Sequence, residues 1–209
     1  MKNIAVERVV KRYLQAFIIN DDFIFSNNLL YKSPLEDILA GFCFEKSGLN
    51  KDGVYVWCFV QPLYLKSEHI ILSYGKRLKG TRGELWLLKN NTNLEETIEE
   101  LIPLMKDAID VFLNNVDTPS KFYNYYQDKL VNLRMAEAVT YSAIYSKNKD
   151  SKLILENYIN ILENENIEVD WVKNLLDVAK GLKLIIGNDE AIQNLFQKNI
   201  IETKQTIGL

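Results

Sequence analysis

A single histidine, His69, and two cysteines, Cys43 and Cys58, are all that this 209-residue chain offers of the side chains that most often carry nucleophilic, redox or zinc chemistry. With one histidine, a Ser-His-Asp or Cys-His arrangement can be built in one way only, and a multi-histidine metal site not at all. The cysteines stand in the apolar words FCF and WCF, at a spacing that matches neither a redox pair nor a zinc ligand set, and read as buried thiols. The GxSxG elbow, the GxxxxGK[ST] phosphate loop, a GxGxxG turn after a strand, HExxH and the calcium loop are all missing, so the common hydrolase and nucleotide-binding classes lose their support. No apolar run approaches the about 18 residues of a membrane span. The opening MKNIAVERVVKRYLQ interrupts its apolar residues with charges too often for a signal peptide, and a cytoplasmic protein is expected. A net charge of −3 argues against a surface built wholly for nucleic acid. The sequence assigns no catalytic residue, no metal and no cofactor.

What is present is an ordinary globular balance, 47% apolar and 25% charged. β-branched and aromatic residues are densest between Gly53 and Leu88, where VYVWCFVQPLYL, HIILSYGKRL and ELWLL follow one another across short Lys/Gly/Thr-rich breaks. That spacing predicts an antiparallel meander. GFCFEKSG supplies a strand before it, joined through the turn residues Gly48, Asn50, Asp52 and Gly53. In the longest run Tyr55, Trp57, Phe59 and Gln61 share one face and Val54, Val56, Cys58 and Val60 the other. Both faces are apolar, so this strand is expected at the centre, ending near Pro62, which has no backbone N–H to give to a ladder.

Helical periodicity covers the rest. Val6, Val9, Val10, Tyr13, Leu14 and Phe17 predict an amphipathic helix near residues 4–19. The breaks Asn27-Asn28 and Ser33-Pro34 surround the short groups FIF and LLY, which stay unassigned. Leu94, Ile98, Leu101, Ile102, Met105, Ile109, Phe112 and Leu113 form a stripe opened by Asn93 with Glu96 three residues later. Pro103 within it predicts a kink or two abutting helices. Beyond Thr118-Pro119-Ser120 there is no strand signal, and helices are expected over 120–146, 151–164, 168–186 and 189–203, with Asn188 capping the last. Their short connections favour antiparallel neighbours. The fold class is therefore α+β: an N-terminal helix and antiparallel β-meander, then an all-helical C-terminal half of antiparallel helical hairpins. The division falls into 1–117 and 118–209, as two domains or one continuous one.

Three groups of residues invite a functional reading. Lys76, Arg77, Lys79 and Arg82 cluster in the turn KRLKGTRG, beside a helix rich in Glu95, Glu96, Glu99, Glu100, Asp107 and Asp110. The turn could meet an acidic protein surface or a phosphate backbone, or serve as a solvated hairpin tip that blunts a sheet edge. Phe122, Tyr123, Tyr125 and Tyr126 in KFYNYYQDK cover more of a helix than one core stripe needs. Tyrosine is enriched at interfaces, so Tyr123, Tyr125 and Tyr126 are contact candidates, with packing between the two halves as the alternative. An enzymatic reading is left with His69 as a base oriented by Glu68, or with Glu36, Asp37, Glu45 and Lys46 as a nuclease-like metal site. Glu45 and Lys46 are neighbours on a strand and point opposite ways.

The words GFCFEKSG, VYVWCFVQPLYL, HIILSYGKRL and ELWLL, with a helical tail ending ETKQTIGL, resemble small bacterial proteins that share a domain of unknown function, over roughly residues 35–209. Members occur in toxin–immunity and phage-defence gene neighbourhoods. The resemblance implies no catalytic residues. It implies a non-enzymatic protein-interaction module, an accessory subunit or immunity-type component bound in a hetero-complex to a protein encoded nearby. A nucleic-acid-binding subunit using the turn at 76–82, and a metal-dependent nuclease or hydrolase, are the alternatives carried forward.

Overall fold

Two asparagines set the first hairpin. In the computed structural model, which describes residues 4–14, 22–88, 91–165 and 168–209, Asn27 and Asn28 hold φ angles of 50° and 69°. This is the left-handed conformation that a two-residue turn between antiparallel strands requires and that asparagine tolerates. The turn joins β1 (Phe23–Ser26) to β2 (Leu29–Lys32), so FIF and LLY are both strands. β2 pairs antiparallel with β3 (Ile38–Lys46), placing Leu30 opposite Phe42. Gly41 is required there, because a Cβ at that position would collide with the Leu30 carbonyl.

β4 (Gly53–Pro62) is the longest strand and lies beside β3. Its other edge is divided. β5 (Gly75–Arg77) pairs with Trp57–Phe59, and β6 (Leu85–Leu87) pairs with Gly53–Tyr55. β1 to β5 run as an antiparallel meander, which FIF and LLY extend beyond the expected one, while ELWLL pairs with β4 rather than with the run before it as the expected meander required. The physical reason is length: β4 has backbone for two short partners placed end to end. Between them Leu78 N–H bonds to the Val56 carbonyl at 2.8 Å and carries the ladder across the gap. HIILSY is not a strand, as regular pairing begins only at Gly75, and of the run HIILSYGKRL only GKR is β5. The wholly buried Gln61 side chain instead accepts the Ile71 N–H at 2.9 Å, a side chain standing in for a ladder carbonyl.

Val54, Val56, Cys58, Val60 and Trp86 are buried, and α2 (Asn91–Val111) packs against β6, contributing Ile98, Leu101, Met105 and Ala108 to the core. α2 is one helix with Pro103 inside it, not two. Pro103 is exposed, so the Glu99 carbonyl that loses its intrahelical donor lies on the side where water can replace it. The helix already runs at Asn91, two residues before the predicted opening, and the Asn93 side chain lies outside the described residues. Of the N-terminal helix, α1 (Ile4–Val9) and a π-helical turn over Val10–Leu14 are described, with Val9, Val10 and Leu14 buried. Residues 15–19 of that prediction lie outside the described residues.

The chain divides into two compact units, one of Met1–Gln61, Ile70–Asp117 and Gly208–Leu209, the other of Pro62–His69 and Thr118–Ile207. The second is helical: α3 (Pro119–Tyr126), α4 (Leu133–Tyr145), α5 (Ser151–Glu163), α6 (Asp170–Ile185) and α7 (Asp189–Ile207). Thr118 caps α3 through Lys121 N–H, with Pro119 at the first helical position, and Asn188 caps α7 through Ala191 N–H. The single helix predicted over 120–146 is two. Asn132 adopts extended backbone and accepts the Met135 N–H at 2.8 Å, starting a new helix inside an apolar pattern that looks continuous. Pro62–His69 belongs to this unit through Tyr64. The Tyr64 ring is wholly buried, its hydroxyl lies 2.6 Å from Ser142 Oγ, and its centroid is 4.9 Å from Tyr145 and 5.7 Å from Phe196.

Because Pro103 occupies an exposed helix interior, Pro103→Ala restores a backbone donor without disturbing the core. It should raise the unfolding free energy by about 1–3 kcal/mol in urea titrations. No gain would show that α2 has already adapted around the ring.

Candidate protein-interaction surfaces

The turn KRLKGTRG is built by its glycines and anchored from below. Gly80 and Gly83 exchange backbone hydrogen bonds of 2.8 and 3.1 Å, and Gly83 has a φ of 110°, which favours glycine. Leu78 is buried, and its carbonyl accepts the Trp86 indole N–H at 3.1 Å. From α2, the Glu100 carboxylate accepts the Thr81 backbone N–H, and Glu96 pairs with Arg82 at 2.9 Å. The hydrogen bond from the Thr81 backbone, followed by that from its side chain, holds the Glu100 carboxyl below the ordinary carboxylate range. The basic strand region and the acidic helix, two separate anomalies in the sequence, thus meet inside one unit.

Arg77 is likewise engaged. Its position opposite Trp57 puts it on the face that carries Tyr55, since residues two apart on a strand share a face. The guanidinium carbon lies 4.1 Å from the Tyr55 ring centroid and 4.6 Å from that of Trp57. Its terminal nitrogens reach Glu45 at 3.4 Å and Glu84 at 3.5 Å, while Trp57 Nε1 donates to the same Glu45 oxygen at 2.8 Å. Arg77 Nε is shielded from solvent with no hydrogen-bond partner. The cluster is an aromatic platform already occupied by its own cation. Of the four basic residues in the turn, Lys76 and Lys79 are exposed and make no ion pair among the described residues. A phosphate backbone approaching here would meet Lys76, Lys79 and the exposed Arg82, itself paired with Glu96, but not the Arg77 that lies over Tyr55 and Trp57.

The tyrosine segment is largely interior to the helical unit. Phe122 and Tyr126 are buried with ring centroids 4.6 Å apart, and Tyr125 meets Tyr126 edge-on at 4.8 Å. Lys129 Nζ lies 3.3 Å from the Tyr125 centroid. Tyr123 and Tyr125 are half-buried.

An exposed apolar cluster lies next to this segment and was not singled out from sequence. Leu130, Val131, Leu133 and Ala136 form one wall of a groove of about 580 Å³, and Ile161, Val169, Trp171 and Val172 the other. Val131 is 77% exposed, Leu130 and Trp171 47%, Ile161 41% and Val169 38%. The reading of 120–146 as one helix puts Leu130 and Val131 inside that helix. The Asn132 cap places them in a connection instead, where they have no core to enter. Trp171 opens α6 with the Arg134 guanidinium 5.8 Å from its ring, and Arg134 also bonds Glu137 at 2.9 Å. Burial pushes the Glu137 carboxyl up, and Arg134 partly offsets this.

The residues considered for catalysis are not assembled. Among the described residues no three of His, Cys, Asp and Glu come together as ligands for a metal ion, so Glu36, Asp37 and Glu45 do not form such a group. Glu36 and Lys46 are exposed, and Glu45 is held by Trp57 and Arg77. His69 is exposed in the segment after Pro62, its backbone closing a turn with Ser67 Oγ. Cys43 and Cys58 are free and buried, and desolvation pushes both thiols up to about 12, which leaves them protonated and unreactive at neutral pH. No helix among the described residues is long and apolar enough to cross a membrane. Comparison with family models, with curated proteins and with solved structures finds no match.

Two outcomes follow from the turn. The depressed Glu100 carboxyl contributes stability above its ordinary value of 4.5 and loses it as the pH falls below that value. Hydrogen exchange should therefore show Thr81 amide protection fading on acidification, and Glu100→Ala should abolish both the protection and its pH dependence. Protection that persists in the variant would remove Glu100 as the clamp. Arg77→Lys keeps the charge but cannot lie flat over two rings, and should lower stability by about 1 kcal/mol in denaturant titration.

Proposed function

We propose that this chain is a non-enzymatic, cytoplasmic protein-interaction module, an accessory subunit or immunity-type component of a bacterial defence system, bound to a second protein encoded nearby. The observation that carries the interaction is the groove of Leu130, Val131, Ile161, Val169 and Trp171. Five large apolar side chains are gathered there on the surface of a unit that has an ample core in which to bury such residues. Contiguous exposed apolar surface of this kind marks a place where another molecule sits. The defence setting rests on the sequence resemblance, and the apolar lining of the groove, together with Arg77 held over its own rings, supports protein rather than nucleic acid as the partner.

The test is co-purification of the tagged full chain from a host expressing the gene with its chromosomal neighbours, alongside the variant Val131→Asp. Val131 is mostly solvent-exposed in a connection, so the charge leaves the fold intact. The expected result is a stoichiometric protein that survives a high-salt wash with the native chain and is lost with the variant. Retention of that partner by Val131→Asp, or recovery of salt-labile nucleic acid alone, would overturn the reading.

A further inference from the structure

We infer that the groove receives an amphipathic helix from the partner, with large apolar residues at helical spacing and lysines or arginines along the flank that faces Glu165. The inference rests on the interaction reading above and specifies the chemistry of the occupant.

The backbone comes first. The groove is lined by the residues that lead into α4 and its first turn, by Ile161 near the end of α5, by Glu165, and by Val169, Trp171 and Val172 at the start of α6. The flanking helices bond their own backbone, and no strand residue lines the groove among the described residues, so an extended peptide would find no ladder to join. A helix satisfies its own N–H and C=O groups and inserts side chains only, at i, i+3 or i+4, and i+7. A volume of about 580 Å³ lies within the range of sites that receive several apolar groups at once.

Charge then selects the flank. The segment 161–172, ILENENIEVDWV, contains Glu163, Glu165, Glu168 and Asp170 and no lysine or arginine. Glu163 is paired with Lys180 at 2.7 Å, whereas Glu165 lines the groove and makes no ion pair among the described residues. Glu165 also follows the C-terminal end of α5, where carbonyl dipoles already concentrate negative potential. An acidic group at that end is unfavourable by itself and is relieved by an incoming cation. Asp170 stands in the first turn of α6, where the helix dipole offsets its charge, so Glu165 is the stronger determinant. On the facing wall Arg134 is paired with Glu137 and lies over Trp171, and the lysines next to the groove in sequence, Lys129 and Lys173, do not line it.

A second copy of this chain does not supply the described occupant. Its own basic amphipathic segment, Ile4–Leu14, has Val9, Val10 and Leu14 buried already.

The experiment places a photo-crosslinking residue at Val131, with Leu184 as an exposed control outside the groove, in the full chain expressed with its native gene neighbours. The cross-linked segment is mapped by mass spectrometry and then synthesised as a peptide for binding to the full chain. The expected segment is amphipathic with a net positive flank, and Glu165→Lys weakens its binding at least fivefold. Exchanging the peptide's lysines and arginines for glutamate restores affinity for the Glu165→Lys chain. A protein segment that is extended or acidic, or one whose affinity ignores Glu165→Lys, overturns the basic-helix inference while leaving the interaction module standing. Cross-linking only to a second copy, only to lipid, or no more than at Leu184 overturns both.

Discussion

The backbone of β4 has to be hydrogen-bonded on both edges, because its side chains are largely buried and water cannot replace a missing partner. β3 serves one edge. On the other, no single strand is long enough, and the ladder is assembled from β5, the Leu78 amide and β6 in turn. Where this would continue past Phe59, the Gln61 side chain accepts the Ile71 amide and Pro62 has no N–H that needs a partner. The chain can leave the sheet at that point without stranding a buried donor. The excursion of Pro62–His69, the shortness of β5 and the anchored turn at 78–84 are all consequences of how one strand is satisfied.

The acidic character of α2 has a similar structural origin. Glu96 and Glu100 do not form a surface that waits for a partner. They close the turn that interrupts the two halves of the β4 edge, one through Arg82 and the other through the Thr81 amide. The exposed half of the sheet is treated in the same way, with Arg77 lying over Tyr55 and Trp57 while Glu45 and Glu84 hold its ends. In both cases a charge that looks available in the sequence is a local fastening.

Period and punctuation made most of the fold readable. Apolar residues on both faces identified β4 as central, Asn27-Asn28 marked a break without assigning the strands on either side of it, and Thr118-Pro119 and Asn188 announced helix starts that Thr118 and Asn188 do cap. What could not be read depended on pairings distant along the chain or on a choice between two acceptable local structures. Nothing local in ELWLL says that it meets Tyr55 and not the strand before it. Asn132 sits in a stretch whose apolar spacing suits one long helix, and only its cap bond to Met135 reveals the break that exposes Leu130 and Val131. The candidate surface suffered most from this. Counting charges pointed to a turn where Arg77 lies over two rings of its own sheet, while the groove arises from side chains that the sequence did not single out.

Tyr64 gives the chain a non-modular inheritance. The helical unit is completed by a tyrosine that precedes it in sequence by more than one strand, with Ser142, Tyr145 and Phe196 closing around that ring. A gene fragment beginning at Thr118 would encode every helix of the unit and still lack the side chain that fills its centre. Recombination that exchanged the helical half alone would therefore leave unfilled the space that the Tyr64 ring occupies.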